Sequence, residues 1–142
     1  MKQVLFVLVV ALSFSAFAQT LVEVTTVAAI SSTLDSGLPL PRGTYKAGAG
    51  SEAIIARLPD ASRFNLEVYA ARGISANLQP AFVQQILTNF ASAGYLLNNQ
   101  QKTVVNGETR TRYDLSDDSG KVAILFVVRK GSELVYAFGR AK

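Results

Sequence analysis

Residues 102–138 read KTVVNGETRTRYDLSDDSGKVAILFVVRKGSELVYAF, and the punctuation of this stretch decides the fold. Asn106-Gly107 separates two β-rich runs, 102–105 and 108–115. A two-residue type I′ turn needs positive φ at both positions, which Asn and Gly accept, so the runs are expected to form a hairpin. Ser116-Asp117-Asp118-Ser119-Gly120 supplies the residues of a second turn. Residues 122–128 are apolar at both parities, as a strand covered on both faces must be. Lys130-Gly131 marks a third tight turn leading to 134–138. Pairing across it places Leu125 near Tyr136 on one face and Phe126 near Val135 on the other. The C-terminal half therefore reads as an antiparallel meander.

Upstream of this meander, Phe82, Val83, Ile86, Leu87 and Phe90 recur at helical spacing, with Gln84, Gln85, Thr88 and Asn89 on the other side. Ser75 or Asn77 is expected to cap this helix, and Pro80 falls in its first turn, where a missing N–H removes no bond. Gly94 stands where a helix commonly ends in the left-handed conformation. Residues 63–70 alternate Phe64, Leu66 and Val68 with Asn65, Glu67 and Tyr69, the period of a half-buried strand. The apolar run 53–58, closed by Pro59-Asp60, is expected to pair with it as a hairpin. Residues 21–30 (LVEVTTVAAI) predict a first strand, with a short helix over 27–34 as the alternative. Residues 36–51 hold two prolines and four glycines and read as a loop of the length that often carries function. Two or three strands, one helix and four strands make an α+β domain, with one main amphipathic helix packed on a curved antiparallel β-sheet.

The front of the chain predicts export. Lys2 gives a positive n-region, residues 4–12 are an unbroken apolar run, and Ala16-Phe17-Ala18 offers small residues to a signal peptidase. Residues 1–18 are thus expected to be a signal peptide and 19–142 a single secreted domain, periplasmic or extracellular. The competing transmembrane anchor would use residues 4–17, shorter than the roughly 20 residues a spanning helix needs. The net charge of +4 falls by one when Lys2 is removed, and the basic residues are scattered, which argues against nucleic acid as a partner. With no cysteine, the domain has no disulfide and no acylation site, so packing must stabilise it. With no histidine, Ser-His-Asp and Cys-His chemistry is excluded.

The remaining motifs are weak. Gly48-Ala49-Gly50-Ser51-Glu52-Ala53 fits the loose form of a dinucleotide fingerprint, but that site needs a strand before it and a helix opening at it. Asp114, Asp117 and Asp118 offer oxygen ligands, yet the glutamate of an EF-hand loop is missing and Asp, Ser and Gly are ordinary turn residues. Ten acidic residues always include some pair suited to glycoside hydrolysis, but none has a recognisable setting, and the S-x-x-K pattern does not occur. Glu108, Arg110, Arg112 and Asp114 share one strand face and Thr109, Thr111, Tyr113 and Leu115 the other. The arginines, with Lys102 and Arg129 near them, form a candidate patch for an anionic partner such as a polysaccharide, phospholipid or nucleic acid, although a solvated face with its own Glu and Asp neighbours is the more ordinary reading of mixed charge. Tyr95, Tyr113, Tyr136, Phe126 and Phe138 are expected in the core, or lining a hollow between helix and sheet with the 36–51 loop as its lid.

The order Leu38-Pro39-Leu40-Pro41-Arg42-Gly43, a strand pair, a helix ending Phe90-Ala91-Ser92-Ala93-Gly94-Tyr95 and a meander resembles a common module of bacterial cell envelopes. Those domains enter through P-x-P-x-G and end their helix in F-Y-x-x-x-L-x-x-x-G-W. Here the aromatic pair is reduced to Phe82 and Phe90, and Tyr95 stands where Trp is usual. The resemblance implies a secreted or lipid-anchored α+β domain and brings no catalytic residue.

The expectation is a non-catalytic binding or accessory domain of the cell envelope, without cofactor or metal and without a membrane span after the leader. Its partner is expected to be an envelope protein, glycan or lipid. The candidate binding face comprises Arg110, Arg112, Lys102 and Tyr113, and the candidate binding loop Pro39, Pro41, Arg42, Tyr45 and Lys46. The alternatives are a small apolar-ligand carrier with a cavity between helix and sheet, and a histidine-free carboxylate hydrolase.

Overall fold

The type I′ turn forms where the sequence places it: Asn106 and Gly107 take φ of 51° and 75°, and Val105 pairs with Glu108. The computed structural model describes residues 20–142; the expected leader, with cleavage after Ala18, lies outside these residues. The elements are β1 (Val24–Ala28), β2 (Thr44–Ala47), α1 (Ser51–Ile55), β3 (Phe64–Ala71), α2 (Gln79–Ser92), β4 (Leu96–Val105), β5 (Glu108–Ser116), β6 (Val122–Lys130) and β7 (Glu133–Ala141). The strands make one sheet of order β1-β2-β3-β7-β6-β5-β4, with every neighbouring pair antiparallel.

Both faces of the sheet's centre are covered. Under α2, Phe82, Ile86 and Phe90 pack on Tyr69, Tyr113, Leu125, Tyr136 and Phe138. The Phe90 and Phe138 rings meet edge to face at 5.1 Å, and Tyr95 lies 5.7 Å from Phe138, geometries that suit the aromatic quadrupole. On the opposite face, Ile54 and Leu58 pack on Phe64, Val68, Ile124, Phe126 and Ala137. Strand β6, bound by β5 and β7, is buried from Ala123 to Val128, as its apolar run requires.

Four expectations are corrected. Residues 53–58 form α1 and the turn after it rather than a strand; Ile54 and Leu58, one helical turn apart, turn the same way into the core. The partner of β3 is instead β2, which lies inside the segment read as a loop, with Thr44 opposite Ala71. The third turn is Gly131-Ser132, not Lys130-Gly131. Gly131 takes φ of 60° at the first central position, Lys130 pairs with Glu133, and Leu125 and Phe126 face Phe138 and Ala137. The register moves by two residues, so each side chain keeps its face. Lastly, among the described residues no side chain caps α2: Ser75 precedes a short 3₁₀ turn, Ala76–Leu78, and Leu78 stands at the N-cap.

Candidate functional site

The hairpin register sets the site. Lys102 lies opposite Thr111 and Gln100 opposite Tyr113, while Thr111 faces Val127 and Thr109 faces Arg129 across the next ladder. Directly opposed residues share a face, so all seven project to the α2 side. The helix packs over β7, with Phe82 against Tyr136 and Phe90 against Phe138, reaches as far as the buried Tyr113 and Leu115 of β5, and leaves β4 exposed. Pro80, Val83, Gln84 and Leu87 of α2 form one wall of the resulting groove. It holds about 300 Å³ beside Lys102 and Arg129 and continues past Gln84, Leu87 and Gln100 into about 770 Å³ beside Tyr95, Leu96, Leu97 and Leu115.

The groove is cationic. No carboxylate lines it, and among the described residues Lys102 and Arg129 enter no ion pair. The Arg129 Nε–H donates to Gln79 Oε1 at 2.8 Å. Gln79, itself 1% exposed, donates through Nε2 to the Gly131 carbonyl at 3.2 Å. This amide ties the start of α2 to the β6–β7 turn and orients the guanidinium. Burial raises the Tyr113 pKa against the opposing pull of Arg129, so its hydroxyl stays protonated near neutral pH.

The sheet divides the four residues of the expected binding face. Lys102 and Tyr113 lie together in the groove, while Arg110 and Arg112 project from the other side, where carboxylates neutralise them. Arg112 grips Asp60 at 2.6 and 2.8 Å and Asp114 at 2.9 Å. Arg57 holds Glu108 at 2.6 and 3.0 Å, and Arg110 holds it at 2.7 Å. The hydrogen bonds from Arg112 lower the Asp60 pKa; for Glu108, burial opposes ionisation but Arg57 and Arg110 outweigh it, and its pKa is lowered too. This network fastens the turn after α1 to β5.

The 36–51 segment serves the core. Leu38 and Leu40 fill the space under α2 proposed as a hollow, and Asn89 Nδ2 donates to the Pro39 carbonyl at 3.1 Å. Pro41 is buried; Pro39 and Arg42 are exposed. The Arg72 guanidinium lies 5.8 Å from the Tyr45 ring centre. Lys46, near the opposite sheet edge from the groove, borders a separate depression of about 340 Å³ with Val27, Ala29, Thr33 and Tyr69.

Other acidic groups are occupied within the fold. Glu67 accepts from the Thr33 N–H at 3.1 Å and from the Ser32 and Thr33 hydroxyls, and the Tyr95 hydroxyl donates to Asp35 at 2.6 Å. Asp114 and Asp117 turn to different arginines, Arg112 and Arg140. The Gly48–Ala53 stretch does follow a strand and open a helix, contrary to expectation, but β2 is antiparallel to both neighbours and α1 is a single turn. Gly50 has φ of 96°, and a Cβ there would lie 2.5 Å from the Leu21 carbonyl oxygen. Its lack of a side chain admits the protein's own chain, not a phosphate.

Gln79, Val83, Gln84, Leu87, Gln100, Thr109 and Thr111 were absent from the expected site. The Asn-Gly turn already implied part of it, because a 105–108 closure sets Lys102 beside Thr111 and Gln100 beside Tyr113. No protein-family model, curated protein or solved structure matches this chain.

Proposed function

We propose that the protein is a non-catalytic binding module of the cell envelope that holds an extended anionic ligand in the groove between α2 and the β4–β5 hairpin. The observation that carries this reading is the contrast between the two faces of one hairpin. Arg110 and Arg112 are matched by carboxylates on one face, whereas among the described residues Lys102 and Arg129 stand unmatched on the other. Unmatched cations beside hydroxyls and amides favour an anion, and an open groove favours an elongated one. Burial of the aromatic side chains Tyr113 and Tyr95 leaves no stacking platform for bases, which favours a ligand other than nucleic acid. A role without chemistry is supported by the engagement of Glu67, Glu108, Asp60 and Asp117 in hydrogen bonds and ion pairs within the fold. The right-handed twist of antiparallel strands favours a sheet that curves around α2.

Export rests on the leader in residues 1–18, and sequencing the N-terminus of the exported protein tests it. Gln19 in first place is expected; a retained Met1 overturns export. The groove is tested by NMR titration of the ¹⁵N-labelled protein with polygalacturonate and polyglutamate, set against neutral dextran. Shifts are expected around Lys102, Gln100, Thr111 and Arg129 with at least one polyanion. Lys102→Glu combined with Arg129→Gln should reduce affinity roughly tenfold, in the range for loss and reversal of partly desolvated charge contacts. Shifts confined to Arg110 and Arg112, or absent with both polyanions, overturn the reading.

A further inference from the structure

Strand β4 ends the sheet beside this groove, and all ten of its residues, LLNNQQKTVV, are exposed. An edge strand presents a row of backbone donors and acceptors, which proteins usually protect with short length, proline, covering loops or several charges. Strand β4 is long, has no proline and carries one charge, Lys102. Its sole irregularity is a register shift between Leu97 and Asn99. Resting on the groove reading above, we infer that the ligand is an extended acidic peptide segment of a partner protein, which pairs with β4 as an eighth strand and points its carboxylates at the groove.

The pattern along β4 specifies the peptide. Leu97, Gln100, Lys102 and Val104 share the α2 side, because they oppose Leu115, Tyr113, Thr111 and Thr109. Leu97 and Val104 are 46% and 65% exposed, so the α2-side row runs from an apolar end through amide and cation to another apolar end. A complementary strand carries apolar side chains near its ends and acidic ones between them, on that face. Lys102 stands on the pairing strand itself. Arg129 stands two strands further in, three spacings or about 14 Å from the added strand at about 4.8 Å each, and adds only a weak attraction that salt screens.

A second copy of this chain fits less well. Neither β4 nor α2 contains an acidic residue, so edge-to-edge pairing of two copies would set two cationic grooves side by side with no carboxylate for either. A glycan would find no exposed aromatic ring on the groove floor and would leave the β4 backbone edge unused. An acidic strand satisfies the backbone edge, the unmatched cations and the apolar ends together.

The test uses a capped heptapeptide, valine-threonine-glutamate-threonine-glutamate-threonine-valine, which reads the same in both directions and so suits either pairing orientation. Its binding to the whole purified protein is followed by fluorescence anisotropy and by hydrogen exchange of the β4 amides. Binding is expected to slow β4 exchange, to weaken as salt rises from 50 to 300 mM, and to fall about fivefold or more in Lys102→Glu. The lysine version of the peptide should bind Lys102→Glu better than the unaltered protein. A backbone N-methylated peptide keeps the charge and loses the strand donors, so it should not bind. Equal binding of the methylated peptide overturns strand pairing. If the heptapeptide fails while polygalacturonate binds in a Lys102-dependent way, the peptide inference falls and the groove reading stands. If the peptide and both polyanions fail, both fall.

Discussion

Asp117 shows how one carboxylate organises a turn. It accepts hydrogen bonds from the Ser119 hydroxyl at 2.6 Å and from the Ser119 and Lys121 N–H groups at 2.9 Å, and Arg140 reaches it at 2.7 Å. The Ser119 hydroxyl first, then the Lys121 amide and Arg140, lower its pKa to about 2 from an ordinary 3.8. A carboxyl more acidic in the folded than in the unfolded chain stabilises the fold fully above its unfolded pKa. That contribution is lost as pH falls from near 4 through about 2. Asp60 and Glu108, whose pKa values are also lowered, act in the same direction. Urea midpoints measured between pH 2 and 7 should therefore decline at the acid end. Asp117→Asn should be less stable than the parent at pH 7 and show a shallower acid decline. An unchanged slope would mean that the turn does not depend on the charge. The sequence marks Asp117 as a turn residue, but its pairing with Arg140 depends on β7 passing beneath the turn.

At the scale of elements, a buried glutamine joins three of them. Gln79 begins α2, binds the carbonyl of Gly131 between β6 and β7, and receives Arg129 from β6. Gln79→Ala removes its part-buried hydrogen bonds to the Gly131 carbonyl and to the Arg129 guanidinium, which should lower stability by about 1–3 kcal/mol. Because the guanidinium is also freed, affinity for the acidic heptapeptide should fall with the stability. Gln79→Glu keeps an acceptor that holds Arg129 but loses the donor to Gly131 and places a negative charge beside the groove, so it should recover the Arg129 position without recovering affinity. Denaturation and anisotropy on the two variants separate these effects; equal affinity in both and the parent would remove Gln79 from the site. The helix α2 was legible because its 3.6-residue period persists over enough residues, and the meander because turn residues mark off its β-rich runs. The six-residue run 53–58 was not, since a short apolar run fits a strand or a helix equally well. Strand β2 was hidden for another reason: its TYKA sequence sits among prolines and glycines, and only pairing with β1 and β3 makes it a strand.

Across the whole molecule, the two faces and two edges of the sheet differ in ways that local patterns do not report. One helix covers part of one face, so the end of the sheet farthest from β1 is left with a groove and an open strand. The opposite face closes with α1 and an ion-pair network that uses Arg57, Arg110 and Arg112. By itself, the sequence determined the α+β class, the main helix, the turn at Asn106-Gly107 and the opposed faces of β5. These follow from short-range rules: residue period, turn dihedrals, and the alternation of side chains along a strand. The contacts of Arg110 with Glu108 and of Arg112 with Asp114 follow from strand alternation, whereas tertiary structure alone added Asp60 and Arg57, which are some fifty residues distant and reach β5 only through the packing of Ile54 and Leu58, and left Lys102 and Arg129 without carboxylates among the described residues. It alone decided that Leu38 and Leu40 fill the space under α2. Where α2 lies across the sheet is set by how Phe82 and Phe90 fit against Tyr136 and Phe138, and that fit determines which strands remain open.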